Sequence, residues 1–442
     1  MSLSKAAAML MRHHRQNLIP GWRQEKLSEA MIGITGSGPY PASFFLASAV
    51  ALGLRRFIVI CPNLDETFTS LARSLDPNIQ LAYVQGWVTH PATASLLDRC
   101  SVLVDFSQLG LTNKLLFNAA RKTETPLITV RCLTETTQAG FRFFSYTPGK
   151  DSAAIHSMIA PQSLSATPWN DLAPAMAVAG LALEEVKRIL FERPQTQNVL
   201  TYVRPYPAQS LKNLSVAIVG AGALGNFAAP TLVLLGCRRI TVFDPDRVDV
   251  TNLNRQIFFA QDVGAMKAPA LAYRLNMFLG TEIHGIPKTF DEQTDLSAFD
   301  VVLDCVDNFE TRLVLSRRAQ EEGKILVSGG TGPHRGQVVC YHPQYSQETP
   351  ARILNLEHLV RRRSLAPAHE PPQPVTGAEA VTASCRLQAD PSVVMSNQII
   401  GAFMADLLHR MLSGEPPGIL FYESSETEGL RLNTLWKADF EA

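Results

Sequence analysis

The chain lacks several features that mark common classes of protein. It has 442 residues and seven cysteines, an odd number, and no two of the cysteines form a CxxC pair. Structural zinc sites are built from such pairs, and secreted disulfide frameworks use even numbers of cysteine. We therefore expect reduced thiols in a cytoplasmic protein, and no structural zinc.

Net charge and long apolar runs are also missing. The 40 basic residues balance 40 acidic ones, so composition alone gives no attraction to nucleic acid or to a membrane surface. No segment approaches the roughly 18 apolar residues of a membrane span, and the N-terminal segment lacks the apolar core of a signal peptide. We expect no nucleic-acid partner and no membrane association. The one basic run, 361–363, is interpreted as a solvated loop patch.

The chain does contain a glycine-rich turn between a strand and a helix. An apolar strand over 216–219 leads into a GxGxxG turn, and a second strand over 239–243 ends in Asp244. The glycines of the turn are Gly220, Gly222 and Gly225. Backbone N–H groups at such a turn can hold phosphate oxygens, and an acid about twenty residues further on suits a ribose hydroxyl. This pattern alone fits any dinucleotide-binding enzyme.

A polar cluster after the second strand narrows the choice. Asn252, Arg255 and Lys267 follow Asp244. Arginine offers forked donors to phosphate, and lysine offers a point charge that can follow phosphate through a reaction. Because open parallel sheets bind ligands at the carboxyl ends of their strands, the cluster predicts a site where a triphosphate is split. An NAD site has no use for these residues. Asp246 is either a turn-former or an outer contact of the site.

The segment from Asp244 to Lys267 contains Asp-x-Asp and Asn-Leu-Asn-Arg-Gln. It resembles the adenylating superfamily of ubiquitin-activating enzymes and of the bacterial sulfur-carrier activators of molybdopterin and thiamine synthesis. The resemblance is strong from Leu214 to about Pro343 and looser elsewhere. One departure is the missing CxxC pairs, which many sulfur-carrier activators carry.

The sequence also repeats itself. Strand, Gly-x-Gly, helix, Leu-Gly-x-Arg-Arg and strand recur with an offset of 184 positions, from Gly36 to Gly220 (220 − 36). Later segments correspond as well: 102–108 with 301–307, 126–130 with 325–328, 139–148 with 335–343, and 173–190 with 390–407. The duplication predicts an α/β chain of two tandem, pseudo-equivalent Rossmann-like adenylation folds that form an intramolecular pseudo-dimer. The expected halves are 1–205 and 206–442, with a crossover excursion at 343–384.

The two halves differ in chemistry. The first half has Cys61 in place of Asp244 and Gln108 in place of Asp307, and it has nothing that matches the later polar cluster. Two prolines also crowd its glycine turn, and proline removes a backbone N–H that a phosphate would need. We therefore interpret the first half as an inactive, degenerate adenylation half.

The first half nevertheless begins with a motif that the second lacks. Arg12-His13-His-Arg15-Gln16 resembles the Arg-Tyr-x-Arg-Gln motif of the superfamily, with His13 in place of tyrosine. The resemblance implies that the second arginine of the motif reaches across a dimer to the ATP of the partner. We hypothesise that Arg15 does this within one chain, so that the protein is a monomer.

The resemblance implies ATP and Mg²⁺ as cofactors, with the three glycines against the nucleotide and Asp244 on the ribose hydroxyls. The residues expected to hold the triphosphate are Arg15, Asn252, Arg255 and Lys267. Asp307 is the best-placed acid for Mg²⁺; alternatively, it caps the helix that begins near Asn308. Asp304 is expected to be structural, and the glycine pair at 329–330 gives either close backbone approach or a plain turn.

One cysteine is a candidate nucleophile. The six others lie in or beside apolar segments and are interpreted as small buried hydrophobes: Cys61, Cys100, Cys132, Cys237, Cys305 and Cys340. Cys385 precedes a long helix and has Arg386 beside it, an arrangement that favours the thiolate. Compact activators of ubiquitin-like modifiers place their thioester cysteine in a similar position. The alternative is an exposed loop thiol in an enzyme that stops at the adenylate.

The leading hypothesis is ATP-dependent adenylation of the C-terminal carboxylate of a small ubiquitin-like, β-grasp protein. A thioester on Cys385 and transfer to a conjugating enzyme would follow. A second hypothesis is adenylation of a peptide or sulfur-carrier protein without a protein thioester. An NAD(P)-dependent oxidoreductase comes third, since it leaves Asn252, Arg255 and Lys267 without a role.

Overall fold

Two sheets organise the chain. The computed structural model describes residues 11–134, 138–150, 153–161, 169, 171–205, 210–358, 360 and 391–436. The first sheet has seven strands in the order β3-β2-β1-β4-β5-β6-β7. Its strands are β1 Met31–Gly36, β2 Arg56–Cys61, β3 Gln80–Gln85, β4 Val102–Phe106, β5 Leu127–Thr134, β6 Gln138–Tyr146 and β7 Leu200–Pro205. β1 to β5 pair in parallel, and β6 and β7 add to that sheet in antiparallel fashion.

The second sheet repeats this arrangement with eight strands in the order β10-β9-β8-β11-β12-β13-β14-β15. Its strands are β8 Ser215–Val219, β9 Arg239–Phe243, β10 His284–Ile286, β11 Val301–Asp304, β12 Ile325–Thr331, β13 Arg335–Tyr341, β14 Gly418–Ser425 and β15 Gly429–Trp436. The strand order of the first seven strands, counted from β10, matches that of the first sheet, so the predicted pair of Rossmann-like folds is confirmed.

Helices cover both sheets. Those of the first half are α1 His14–Asn17, α2 Gln24–Glu29, α3 Ala42–Leu52, α4 Glu66–Leu75, α5 Pro91–Ala94, α6 Gly110–Thr123, α7 Ala153–His156 and α8 Leu172–Leu190. Those of the second half are α9 Gly225–Leu234, α10 Lys267–Leu279, α11 Phe309–Glu321, α12 Pro350–Ile353 and α13 Val394–Leu412. Short 3-10 turns lie at Ser95–Leu97, Val250–Asn252 and Ile257–Phe259. Within the described parts of the chain, no helix is long and apolar enough to cross a membrane.

The long helices α8 and α13 join the two halves. A Cβ built at Gly180 in α8 would lie 2.8 Å from the Cγ1 atom of Ile399 in α13, so this glycine permits close packing of the helices. The Gln398 side chain donates to the Met176 carbonyl at 3.0 Å. Since the largest apolar core contains residues of both sheets, the halves form one packed body, which fits the expected intramolecular pseudo-dimer.

A buried polar network reinforces the same junction. Arg204 on β7 forms ion pairs with Asp171 at the start of α8 and with Asp406 on α13. The Tyr202 hydroxyl also donates to Asp406, and Arg410 donates to that hydroxyl at 3.0 Å. Because a charge taken out of water must be paired, this network makes the junction specific as well as apolar. The domain boundary at 205 and 206 stays a prediction; it falls directly after β7.

Candidate functional site

The glycine turn between β8 and α9 is tight and leaves one side open. Gly220 has a φ of 103°, which glycine adopts readily. A Cβ at Gly225 would lie 2.2 Å from the Gly220 carbonyl oxygen, so only glycine fits there. A Cβ at Gly222 would meet only the Gln256 Nε2 atom, at 4.0 Å, among the described residues. The backbone at Gly222 is therefore accessible to a ligand.

Asn226 holds this turn in place, a role that the sequence analysis missed. Its side chain is fully buried and donates to the carbonyls of Ala221 at 3.0 Å and Gly222 at 3.2 Å. Its Oδ1 atom accepts from the Phe258 N–H at 3.1 Å. Asn226 therefore ties the glycine turn to the 3-10 turn Ile257–Phe259, which lies between Arg255 and Lys267. Its position one residue after the last glycine, in an otherwise apolar helix start, was the available signal.

Asp244 lies beside the glycine turn at the end of β9. Its Oδ2 atom accepts from the Ala221 N–H at 2.7 Å, and its Oδ1 atom accepts from the Asp246 N–H at 2.9 Å. Burial raises the pKa of this carboxyl above its ordinary value, and the nearby charge of Lys267 opposes the shift. The carboxylate has acceptor capacity beyond these two bonds, which suits a pair of ribose hydroxyls.

Lys267 is the first residue of α10, and Asp246 orients it. The Nζ atom lies 2.8 Å from the Asp246 carboxylate, and the Lys267 N–H donates to the Asp246 carbonyl at 2.8 Å. The lysine side chain is 11% exposed and that of the aspartate 65%. Asp246 therefore has both kinds of contact: its N–H forms a turn with the Asp244 side chain, and its exposed carboxylate pairs with Lys267, the predicted phosphate ligand.

Arg255 connects the two halves electrostatically. Its buried guanidinium donates to the Thr251 carbonyl at 2.9 Å and to the Asn254 side chain at 2.8 Å. The pKa of Arg255 is lowered to about 10, chiefly by burial and then by the charge of Arg15, while the charges of Asp307 and Asp249 oppose the shift. The charges of Arg15, from α1 of the first half, and of Asp307, after β11, thus act on the same group.

Asn252 has a structural contact that limits its predicted role. Its Oδ1 atom accepts from the Asp249 N–H at 2.9 Å, and the Asp249 carboxylate accepts from the Thr251 N–H at 2.8 Å. This reciprocal capping box stabilises the 3-10 turn Val250–Asn252. The Oδ1 atom of Asn252 thus binds the backbone, and a contact with phosphate would come from its Nδ2 group. That role stays a prediction.

Asp307 is exposed and follows β11. The alternative that it caps the next helix is wrong, because Asn308 is the N-cap of α11 and accepts from the Thr311 N–H at 2.8 Å. No cluster of three or more His, Cys, Asp or Glu side chains occurs in the described part of the chain. A single carboxylate still fits Mg²⁺, which commonly binds one or two carboxylates together with substrate phosphates and water.

Gln256 is a further candidate for ligand contact. It is 3% exposed, and within the described residues its Oε1 atom has no hydrogen-bond partner. Its amide lies nearest to the open glycine, Gly222. Since a buried amide oxygen without a partner costs free energy, a donor group of a bound nucleotide would satisfy it. The motif contained Gln256, but nothing in its spacing indicated this orientation.

These residues follow the carboxyl ends of β8, β9 and β11, and the strand order reverses between β8 and β11. A family model covers this part of the chain. The ThiF family model matches residues 196–437, more than half of the sequence. The chain belongs to the ThiF family. The resemblance to the adenylating superfamily is therefore confirmed.

Individual relatives of the ThiF family match shorter stretches. The chain is 36% identical over 156 residues to a sulfur carrier protein adenylyltransferase of Thermus thermophilus, covering 34% of this chain and 58% of that protein. It is 34% identical over 194 residues to the adenylyltransferase and sulfurtransferase MOCS3 of Drosophila yakuba (41% and 43%). It is 28% identical over 180 residues to ubiquitin-like modifier-activating enzyme 5 of Caenorhabditis briggsae (37% and 40%). The matches thus span only about half of these relatives.

Solved structures give a weaker similarity. The crystal structure of E. coli MccB with MccA has 17% identity and a TM-score of 0.40, over 51% of this chain and 65% of that one. A similarity at that level carries no functional information.

Two positions that the sequence analysis left to structural roles are explained by packing. Asp304 is fully buried, accepts from the Ser328 hydroxyl at 2.6 Å and lies 3.5 Å from the Arg312 guanidinium, in keeping with the expected structural role. A Cβ at Gly329 would lie 2.4 Å from the Met404 sulfur. Gly329 therefore permits the close approach of α13, rather than forming a plain turn.

In the first half, the counterpart of Asp307 is held by hydrogen bonds within the protein. Gln108, the counterpart of Asp307, donates to the Phe106 and Val130 carbonyls at 3.1 Å and accepts from the Cys132 N–H at 2.8 Å. The Ser37 hydroxyl accepts from the Gln108 N–H at 2.5 Å. An amide used in this way cannot bind a metal or phosphate, which agrees with the interpretation of a degenerate half.

Every described cysteine is buried and free. Burial raises the pKa of the Cys61, Cys100, Cys132 and Cys340 thiols to about 12 and that of Cys237 to about 11; it raises the pKa of Cys305 as well. None of these thiols suits a nucleophile, because the thiolate is the reactive form. Cys385 and most of the predicted excursion at 343–384 lie outside the described residues.

Proposed function

We propose that this ThiF-family chain uses ATP to adenylate the C-terminal carboxylate of a small ubiquitin-like or sulfur-carrier protein. The observation that supports this most is a contact between the arginine-bearing segments of the two halves: the Asn254 side chain accepts from Arg255 at 2.8 Å and donates at 3.1 Å to Gln16, the residue after Arg15. Arg15, Arg255 and Lys267 would supply three cations, and Asp307 one acid, for a triphosphate bound at the open glycine turn. The named activities of the relatives, which include a sulfur carrier protein adenylyltransferase, support the same class of substrate.

In the proposed reaction, a carboxylate oxygen of the substrate attacks the α-phosphorus of ATP. The new C–O–P linkage forms while the bond from the α-phosphorus to the bridging oxygen breaks, and pyrophosphate leaves with the electron pair. Arg15, Arg255 and Lys267 neutralise the leaving group, and Asp244 fixes the ribose. Such a reaction depends on positioning and charge neutralisation. When bound, Mg²⁺ would add charge neutralisation at the phosphates, with Asp307 as its protein ligand.

A second step is proposed on the sequence alone. The Cys385 thiolate would attack the carbonyl carbon of the acyl-adenylate, forming a C–S bond and releasing AMP, and a conjugating enzyme could then accept the acyl group. The competing proposal is adenylation of a peptide or sulfur-carrier protein without a protein thioester. Every described cysteine is buried, so none of those six would carry a thioester in its place. A nicotinamide reaction gains no support, since it gives the cationic cluster no role.

The test is exchange of labelled pyrophosphate into ATP in the presence of small β-grasp proteins that end in glycine. The proposal is supported if exchange requires the β-grasp protein and if Lys267→Ala abolishes it. Exchange without any carboxylate substrate, or NADH binding in place of ATP, contradicts it. A thiol-sensitive adduct with the same protein, lost in Cys385→Ser and retained in Cys340→Ser, separates the thioester proposal from its competitor.

A further inference from the structure

The side chain of Asn254 joins three parts of the molecule. It is fully buried. Its Oδ1 atom accepts from the Arg255 guanidinium at 2.8 Å, and its Nδ2 atom donates to the Gln16 Oε1 atom at 3.1 Å and to the Ser392 carbonyl at 3.2 Å. Gln16 belongs to the first half and follows Arg15 directly, while Ser392 precedes α13.

We propose that Asn254 is a positioning residue that sets Arg15 and Arg255 at the correct separation for one triphosphate. This inference rests on the proposed ATP site. On this proposal, one side-chain amide carries the contact by which the first half positions its arginine at the site of the second half.

Gln16 is itself anchored, so the contact is rigid on both sides. The Gln16 Nε2 atom donates to the Leu52 carbonyl at 2.8 Å and to the Gln24 side chain at 2.6 Å. A carbonyl can only accept, so the amide must face Leu52 with its nitrogen and Asn254 with its oxygen. The same reasoning fixes Asn254, because Arg255 can only donate and the Ser392 carbonyl can only accept.

The chemistry of an uncharged amide suits this position. Burial, and after it the charge of Arg15, disfavours the charged form of Arg255 and lowers its pKa. A polyanion bound by both arginines would stabilise the two charges. A carboxylate at residue 254 would neutralise Arg255 and compete with that anion. The uncharged amide of Asn254 contacts the Arg255 guanidinium directly and Arg15 only through the adjacent Gln16. It neutralises neither arginine, and so it preorganises the site for an anion.

The experiment measures the dissociation constants of MgATP and of AMP by titration calorimetry on the full chain. AMP lacks the β- and γ-phosphates that two arginines would hold. Asn254→Ala should therefore weaken MgATP about tenfold or more while AMP changes little. Asn254→Asp should lower the same ATP-to-AMP affinity ratio, because it keeps the acceptor for Arg255 but loses both donors and adds a competing charge. An unchanged ratio in both variants overturns the proposal.

Gln398→Ala is the matched control. Gln398 is also a fully buried amide that donates across the two halves, to the Met176 carbonyl at 3.0 Å. Its loss should lower the Tm but leave the ATP-to-AMP ratio as it is in the wild type. If Asn254→Ala fails to fold, Gln16→Ala breaks the same contact from the first half and should lower the ratio in the same direction.

A double-mutant cycle tests whether Asn254 acts through Arg15. In Arg15→Ala, the effect of Asn254→Ala on MgATP affinity should shrink, so the double variant binds more tightly than the product of the two single effects predicts. A strictly multiplicative result overturns the coupling. A wild-type chain that binds no MgATP refutes the proposed function itself, whereas wild-type binding with an unchanged ratio refutes only the role of Asn254.

Discussion

His13 should make the stability of this protein sensitive to mild acid. The residue is 7% exposed, and its Nε2 atom lies 3.1 Å from the Arg12 guanidinium. Burial, with the charges of Arg12 and Arg55, lowers the pKa of His13 from 6.5 to about 3. An unfolded chain binds a proton at this residue near pH 6.5, while the folded chain keeps it neutral until about pH 3. Unfolding therefore takes up a proton in this window, and stability falls as the pH falls.

The size of the effect follows from the two pKa values. Between pH 7 and pH 4.5 the linkage relation gives a loss of roughly 2 to 3 kcal/mol in the free energy of unfolding from His13 alone. Urea titrations at a series of pH values would measure it. His13→Gln should remove this component of the slope, while His284→Gln, at an exposed position, should retain it. If the wild type and His13→Gln lose equal stability over that range, the burial argument is refuted.

Three further predictions concern the nucleotide site. Gly225→Ala should lower both the Tm and ATP affinity, because its Cβ would lie 2.2 Å from the Gly220 carbonyl oxygen, whereas Gly222→Ala should weaken ATP with little change in Tm; equal losses of Tm would contradict the geometry. Asp307→Asn should raise the Mg²⁺ concentration needed for half-maximal ATP binding, measured by calorimetry, and an unchanged value would remove Asp307 as the ligand. Lys267→Ala should weaken MgATP binding about 10- to 100-fold. Calorimetry on this variant should detect no other nucleotide site in the chain.

The duplication of the fold could be predicted because its signals are local. Each glycine turn, at Gly36 and at Gly220, follows a short buried strand and leads into a helix and a second strand. The two sheets share the same order over seven strands. The pairing of the segment around Tyr202 could not be predicted from the sequence. This segment forms β7 and pairs with β6 in the first sheet, a long-range choice that no local pattern specifies.

The site could be predicted only in part. The spacing of Asp244, Arg255 and Lys267 indicated a phosphate-binding cluster, because charged residues after a buried strand have few structural explanations. The residues that hold this cluster and the glycine turn in position could not be predicted in the same way. Asn226 and Asn254 act through partners distant in sequence or in the other half of the chain, and an asparagine has no preference that reveals which carbonyl it will meet. The ion pair of Lys267 with Asp246 is likewise a property of the folded turn.

A structure of the chain with ATP and Mg²⁺ tests the central claim most directly. The account predicts one nucleotide per chain, against Gly220 to Gly225, with the guanidinium of Arg15 from the same chain within hydrogen-bond distance of a β- or γ-phosphate oxygen. Nucleotide against the earlier turn at Gly36, or an Arg15 supplied by a second copy of the chain, would contradict it.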